Sequence, residues 1–119
     1  MRVLVVDDDL TIREILRIIL RGHEVIETTD GESAVRIYME KRPDIVFMDA
    51  VLPRMDGITA TKKILEIDPN AKIIGITAFS SKGKEMLKAG ALALLEKPIS
   101  KSKVLELMEM VCKERLSHS

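Results

Sequence analysis

Five short β-like runs, Val3 to Val6, Glu24 to Thr28, Ile45 to Met48, Ile73 to Ile76 and Ala91 to Leu95, are each followed by a stretch with helical spacing. No other feature of the sequence constrains the fold as tightly. Strict alternation with short connections requires parallel strands joined by right-handed crossovers, with helices on both faces of the sheet. The expected class is a doubly wound α/β fold with a five-stranded parallel sheet. Runs one, three and four are almost wholly apolar, as strands covered on both faces must be, whereas Glu24 and Glu27 flank Val25-Ile26 and mark run two as an edge.

The helical segments can be read individually. Ile12, Ile15, Leu16 and Ile19 repeat at helical spacing and end near Arg21-Gly22. Asp30-Gly31 opens a second helix carrying Ala34, Val35, Tyr38 and Met39, which Pro43 stops. A third runs from about Ile58 to Ile67 and ends at the turn signal Asp68-Pro69-Asn70. The fourth, Ser81 to about Lys88, contains Gly83, which costs about 1 kcal/mol relative to Ala in a helix interior, so this is expected to be the least stable helix. The fifth starts at the cap residue Ser100 and carries Val104, Leu107, Met108 and Val111 on one stripe. Asp9 and Asp56 read as helix caps, with Gly57 easing the turn after Asp56.

A chain of 119 residues is expected to form one domain over residues 1–119 and to bury roughly two-thirds of its unfolded surface without staples. Lys plus Arg and Asp plus Glu both number 19, so no net field draws the protein to nucleic acid or an anionic membrane. The lone cysteine, Cys112, has no disulfide partner and reads as a small core hydrophobe, the methionines read mostly as core filler, and no run is long enough to span a bilayer. A soluble, cytoplasmic monomer is expected. His23 and His118 lack a second ligand at metal spacing and read as a turn and a tail residue.

Open parallel sheets bind ligands at the carboxyl ends of their strands. Those ends carry Asp7, Asp8 and Asp9 after run one, Asp49 after run three, Thr77 after run four and Lys97 after run five. If the strand order is 2-1-3-4-5, these groups converge on one rim. Carboxylates gathered there disfavour one another's ionisation unless a hard cation neutralises them, and Mg2+, which accepts one or two carboxylates plus a phosphate oxygen, suits Asp8 and Asp49, with Asp7 as a direct or water-mediated partner. A carboxylate nucleophile (Asp49), a hydroxyl (Thr77) and an ammonium (Lys97) beside a metal are the parts of a phosphoryl-transfer site.

The elements Val5-Val6-Asp7-Asp8, Met48-Asp49, Leu52-Pro53-Arg54-Met55-Asp56-Gly57, Ile76-Thr77-Ala78 and Glu96-Lys97-Pro98 resemble, in order, the motifs of response-regulator receiver domains. The resemblance covers essentially the whole chain. It implies a flavodoxin-like sheet of order 2-1-3-4-5, a phosphoacceptor at Asp49 that takes its group from the phosphohistidine of a sensor histidine kinase, Asp7 and Asp8 as the acidic pair for Mg2+, and a Val51 backbone carbonyl on the metal. Thr77 and Lys97 would be the family's hydroxyl and lysine. The expected partners are that kinase and a downstream protein, either a motor-switch protein or a phosphotransfer protein. The resemblance also raises the expectation of a cis peptide before Pro98, which composition alone reads as a turn residue. The sequence departs from the family in having Leu94 where an aromatic switch residue often stands three positions before the lysine; Phe79 is the one aromatic nearby. Lys82, Lys84, Lys88, Lys101 and Lys103 read first as a solvated face; a docking surface is the competing reading, because Leu105, Met110 and Cys112 lie off the main stripe of the fifth helix.

Two other classes use similar parts. A haloacid-dehalogenase-type phosphohydrolase expects a second aspartate two residues after the first, where Val51 stands. A flavodoxin-like cofactor protein needs a Gly- or Ser/Thr-rich loop presenting amides to phosphate, where this chain has three acids.

Overall fold

The computed structural model describes residues 1–78 and 80–117; Phe79 and His118, both singled out above, lie outside the described residues. The elements run β1 (Arg2–Val6), α1 (Leu10–Ile19), β2 (Glu24–Thr28), α2 (Gly31–Lys41), β3 (Ile45–Asp49), α3 (Gly57–Ile67), β4 (Ile73–Thr77), α4 (Ser80–Ala89), β5 (Ala93–Glu96) and α5 (Lys101–Ser117). All four pairings are parallel, in the order β2-β1-β3-β4-β5. The strand in which Glu24 and Glu27 flank Val25-Ile26 is an edge, and none of its residues is fully buried.

Burial divides along the two faces of the sheet. On one, Val3, Val5, Phe47, Ile74, Ile76 and Leu95 pack with Ile12 and Leu16 of α1 and Val104, Leu107, Met108 and Val111 of α5. On the other, Leu4, Val6, Val46, Met48 and Ile73 pack with Ala34 and Tyr38 of α2, Ala60 and Ile64 of α3 and Met86 of α4. Period-2 strands sandwiched between period-3.6 helices give this division directly. Cys112 packs half-buried against the first cluster, as a small hydrophobe should.

The caps follow the sequence. Asp9, Asp30 and Asp56 accept from the backbone N–H groups of Thr11, Ser33 and Thr59, and the Ser100 hydroxyl accepts from Lys103 N–H. Three local expectations are corrected. The fifth strand begins at Ala93 rather than Ala91, because the chain leaving α4 turns at Gly90 with Gly90 N–H on Leu87 O and Ala91 N–H on Met86 O, so Ala91 belongs to the helix cap. Met39 faces solvent, because one residue past Tyr38 turns about 100° away from the sheet, and α2 ends at Arg42 in a left-handed conformation (φ 46°). Met1 and Met110 are exposed as well, while Met48, Met86 and Met108 are buried.

Gly83 gains a reason that the sequence did not show. A Cβ there would lie 2.8 Å from Leu94 Cδ1 and 3.4 Å from Thr77 Cγ2, so its absence lets α4 settle directly over β4 and β5. Leu94, half-buried, fills the space between this helix and the sheet.

Candidate acidic site at the strand ends

The order β2-β1-β3-β4-β5 places the carboxyl ends of β1, β3, β4 and β5 side by side, and the residues expected to converge there do so. Asp7 follows β1 and is fully buried, and Asp49 and Thr77, the last residues of β3 and β4, are also buried. Asp8 is exposed, and one oxygen from each of Asp7, Asp8 and Asp49 lies within 4.8 Å of the others. Lys97 Nζ lies 3.2 Å from Asp49 Oδ2 and 3.6 Å from Asp7 Oδ2. The backbone holds Lys97 in place through its N–H, which donates to Thr77 O at 3.0 Å; the Lys97-Pro98 peptide that follows is cis, as the resemblance implied.

The two buried carboxylates are aimed in the same way. Asp7 Oδ1 accepts from Asp9 N–H and Asp49 Oδ1 accepts from Val51 N–H, each at 2.9 Å. These turns, in which an aspartate binds the backbone two residues on, fix one oxygen and present the other to the pocket. Val51 thus acts through its main chain, and its side chain is exposed. Gly57 completes the support, because a Cβ at that position would run into the Asp49 carbonyl, and its N–H donates to Ala50 O at 2.9 Å. The start of α3 therefore lies against the back of the Asp49 strand.

Asp7 Oδ2 is buried without a hydrogen-bond partner, and Lys97 at 3.6 Å is an ion-pair neighbour beyond hydrogen-bonding length. Burial, with the facing Asp49 carboxylate adding to it against the Asp9 N–H and Lys97, pushes the Asp7 carboxyl up to about 7. Two ionised carboxylates offer no donor to each other, so only a shared proton or a cation satisfies the pair. Burial lowers the Lys97 pKa, but the charges of Asp49 and Asp7 outweigh it and hold the ammonium above its ordinary value. An all-oxygen donor set with an unsatisfied buried oxygen fits a hard cation of the magnesium or calcium kind and does not fit a thiophilic metal.

Sequence reading missed Arg13. Its Nη1 donates to the Asp7 main-chain carbonyl at 2.9 Å, and helical spacing alone gives no sign that a residue on the first turns of α1 reaches back under the site.

Comparison with known proteins agrees with this geometry. The response regulator receiver domain family matches residues 3–109. The chemotaxis protein CheY of Thermotoga maritima is 45% identical over 117 residues, covering 94% of this chain and 98% of that protein. The CheY protein of Bacillus subtilis is 41% identical over 110 residues, covering 88% and 92%. Among solved structures, a CheY-like receiver domain protein of Methanospirillum hungatei superposes with a TM-score of 0.90 at 26% identity, over 99% of this chain and 98% of that one. The receiver domain of a Pseudomonas aeruginosa sensor histidine kinase, described with a magnesium ion coordinated in its active site cleft, does so with a TM-score of 0.86 at 29% identity, over 92% and 94%. Fold, rim and relatives agree: this chain belongs to the response regulator receiver domain family, the CheY-like signalling domains of two-component systems.

Proposed function

We propose that the protein accepts a phosphoryl group on Asp49 from the phosphohistidine of a sensor kinase, with Mg2+ in the acidic pocket, and that the modified domain presents a changed surface to a downstream protein. The observation that carries this reading is the pair of buried carboxylates whose Oδ2 atoms face each other and Lys97, one of them without a hydrogen-bond partner. In the transfer, an Asp49 oxygen attacks phosphorus as the bond from phosphorus to the imidazole nitrogen breaks, and the imidazole departs. Asp7, Asp8, Asp49 and the Val51 carbonyl would hold the metal, which supplies charge neutralisation for the equatorial phosphoryl oxygens. Lys97 balances developing charge on the same group, and Thr77 donates its hydroxyl to a phosphoryl oxygen of the product.

The surface of α4, β5 and α5 is the output face in this reading. Leu87, Leu105 and Met110 are exposed there among the exposed Lys82, Lys84, Lys88, Lys101 and Lys103. The chemotaxis names of the relatives favour a diffusible messenger, acting as one domain, over a phosphorelay shuttle. Retained reverse transfer to a phosphotransfer protein would identify the shuttle instead.

The test is incubation with a small acyl phosphate and Mg2+, comparing wild type with Asp49→Asn. Label is expected on wild type and absent from Asp49→Asn, and label that persists in the variant overturns the assignment of the acceptor.

A further inference from the structure

Asp7 is fixed through its main chain as well as its carboxylate. Its N–H donates to Thr28 O at 3.2 Å, which ties it to the end of β2, and its carbonyl, the first past the β1 ladder, accepts from Arg13 Nη1 at 2.9 Å. The Arg13 side chain is only 15% exposed, and its Nε lies 3.3 Å from Glu27 Oε1. Glu27 in turn accepts from Arg17 Nε at 2.6 Å and from Arg17 Nη2 at 2.9 Å. The Arg17 guanidinium, with Arg13 contributing, holds the Glu27 carboxyl below its ordinary range, so Glu27 stays anionic beside both arginines.

An exposed ion pair contributes little, but Arg13 is mostly buried, and its rigid fork meets a main-chain carbonyl and a carboxylate at once. Among the described residues, Arg13 donates to the Asp7 carbonyl and pairs with Glu27 rather than with the carboxylates of the pocket, so it supports the site and does not enter it. Outer groups that orient a ligating side chain govern metal affinity nearly as strongly as the ligands do.

We infer that Arg13 is a positioning residue for Asp7: anchored by Glu27, it holds the Asp7 main chain so that the Oδ2 atom faces the cation. The inference rests on the reading of the pocket as a Mg2+ site, and its test separates the two. Mg2+ is titrated into metal-free wild type, Arg13→Ala, Arg13→Lys and Glu27→Gln, and the dissociation constant is taken from the dependence of the thermal midpoint on Mg2+ concentration. Arg13→Ala is expected to raise the Kd for Mg2+ about tenfold, Glu27→Gln about threefold, and Arg13→Lys, which keeps a donor for the Asp7 carbonyl, less than about threefold. A merely structural role would lower the midpoint equally at every Mg2+ concentration, and a Kd for Arg13→Ala within about twofold of wild type overturns the inference while the metal reading stands. If Arg13→Ala does not fold, an unchanged Kd in Glu27→Gln overturns it instead. A wild type without saturable Mg2+ dependence overturns both.

Discussion

Asp7→Asn is expected to make the metal-free protein more stable, although it removes a residue from the centre of the site. The Asp7 carboxyl is raised from 3.8 to about 7, first by burial and then by the facing Asp49 carboxylate, against the Asp9 N–H and Lys97. Because its folded pKa lies above the unfolded one, the folded state binds the extra proton. Stability from this group is complete below about pH 4 and is lost as pH rises through about 7. At about 1.4 kcal/mol per pH unit the full penalty above that window is roughly 4 kcal/mol. Asparagine keeps the Oδ1 contact to Asp9 N–H and offers an N–H to Asp49, but it forfeits the attraction of Lys97, which leaves a net gain of about 1–3 kcal/mol at pH 8. For a domain of this length that corresponds to a rise in Tm of about 4–12 °C. The assay is far-UV circular dichroism melting in a chelator at pH 5 and pH 8. The variant is expected to show its gain at pH 8, a smaller one at pH 5, and little further stabilisation when Mg2+ is added. An Asp7→Asn protein that melts at or below wild type at pH 8, with the same dependence on pH, would refute the account of the pocket.

Lys97→Ala should still accept phosphate from a small donor but fail to strengthen binding to the downstream protein; loss of labelling would make the ammonium essential to the transfer itself. Gly83→Ala sets about 1 kcal/mol of helix propensity against a contact 2.8 Å from Leu94 Cδ1. We expect it to be neutral or destabilising in wild type and stabilising by about 1 kcal/mol in a Leu94→Ala background, and urea unfolding of the four proteins of that cycle checks the change of sign. Leu105→Glu with Met110→Glu should change stability by less than about 0.5 kcal/mol and leave phosphorylation intact while weakening partner binding, and unchanged binding would remove the output face from α5.

The strands and the residues at their ends were legible because both are encoded locally. Apolar runs mark the buried strands, and parallel topology brings Asp7, Asp49, Thr77 and Lys97 together without any knowledge of packing. The caps at Asp9, Asp56 and Ser100 are equally local. What escaped depends on elements meeting in space. Gly83 reads as a weak point in a helix until Leu94 is seen beneath it, and Gly57 as a turn residue until the Asp49 carbonyl is seen against it. Arg13 carries no signal in the sequence and Glu27 marks only an edge strand, yet they meet under Asp7. Arg42 takes a left-handed conformation that nothing in its residue type announces.

The bond from Val51 N–H to Asp49 Oδ1 has a consequence for how this position can vary. It tethers one of two chemically equivalent oxygens and leaves the other facing Lys97, where the proposed transfer would use it, and it does so through an atom common to nineteen of the amino acids. The aim of Asp49 therefore does not depend on the side chain at position 51, and proline alone, which lacks the N–H, would remove the tether and leave the carboxylate of the proposed acceptor to turn.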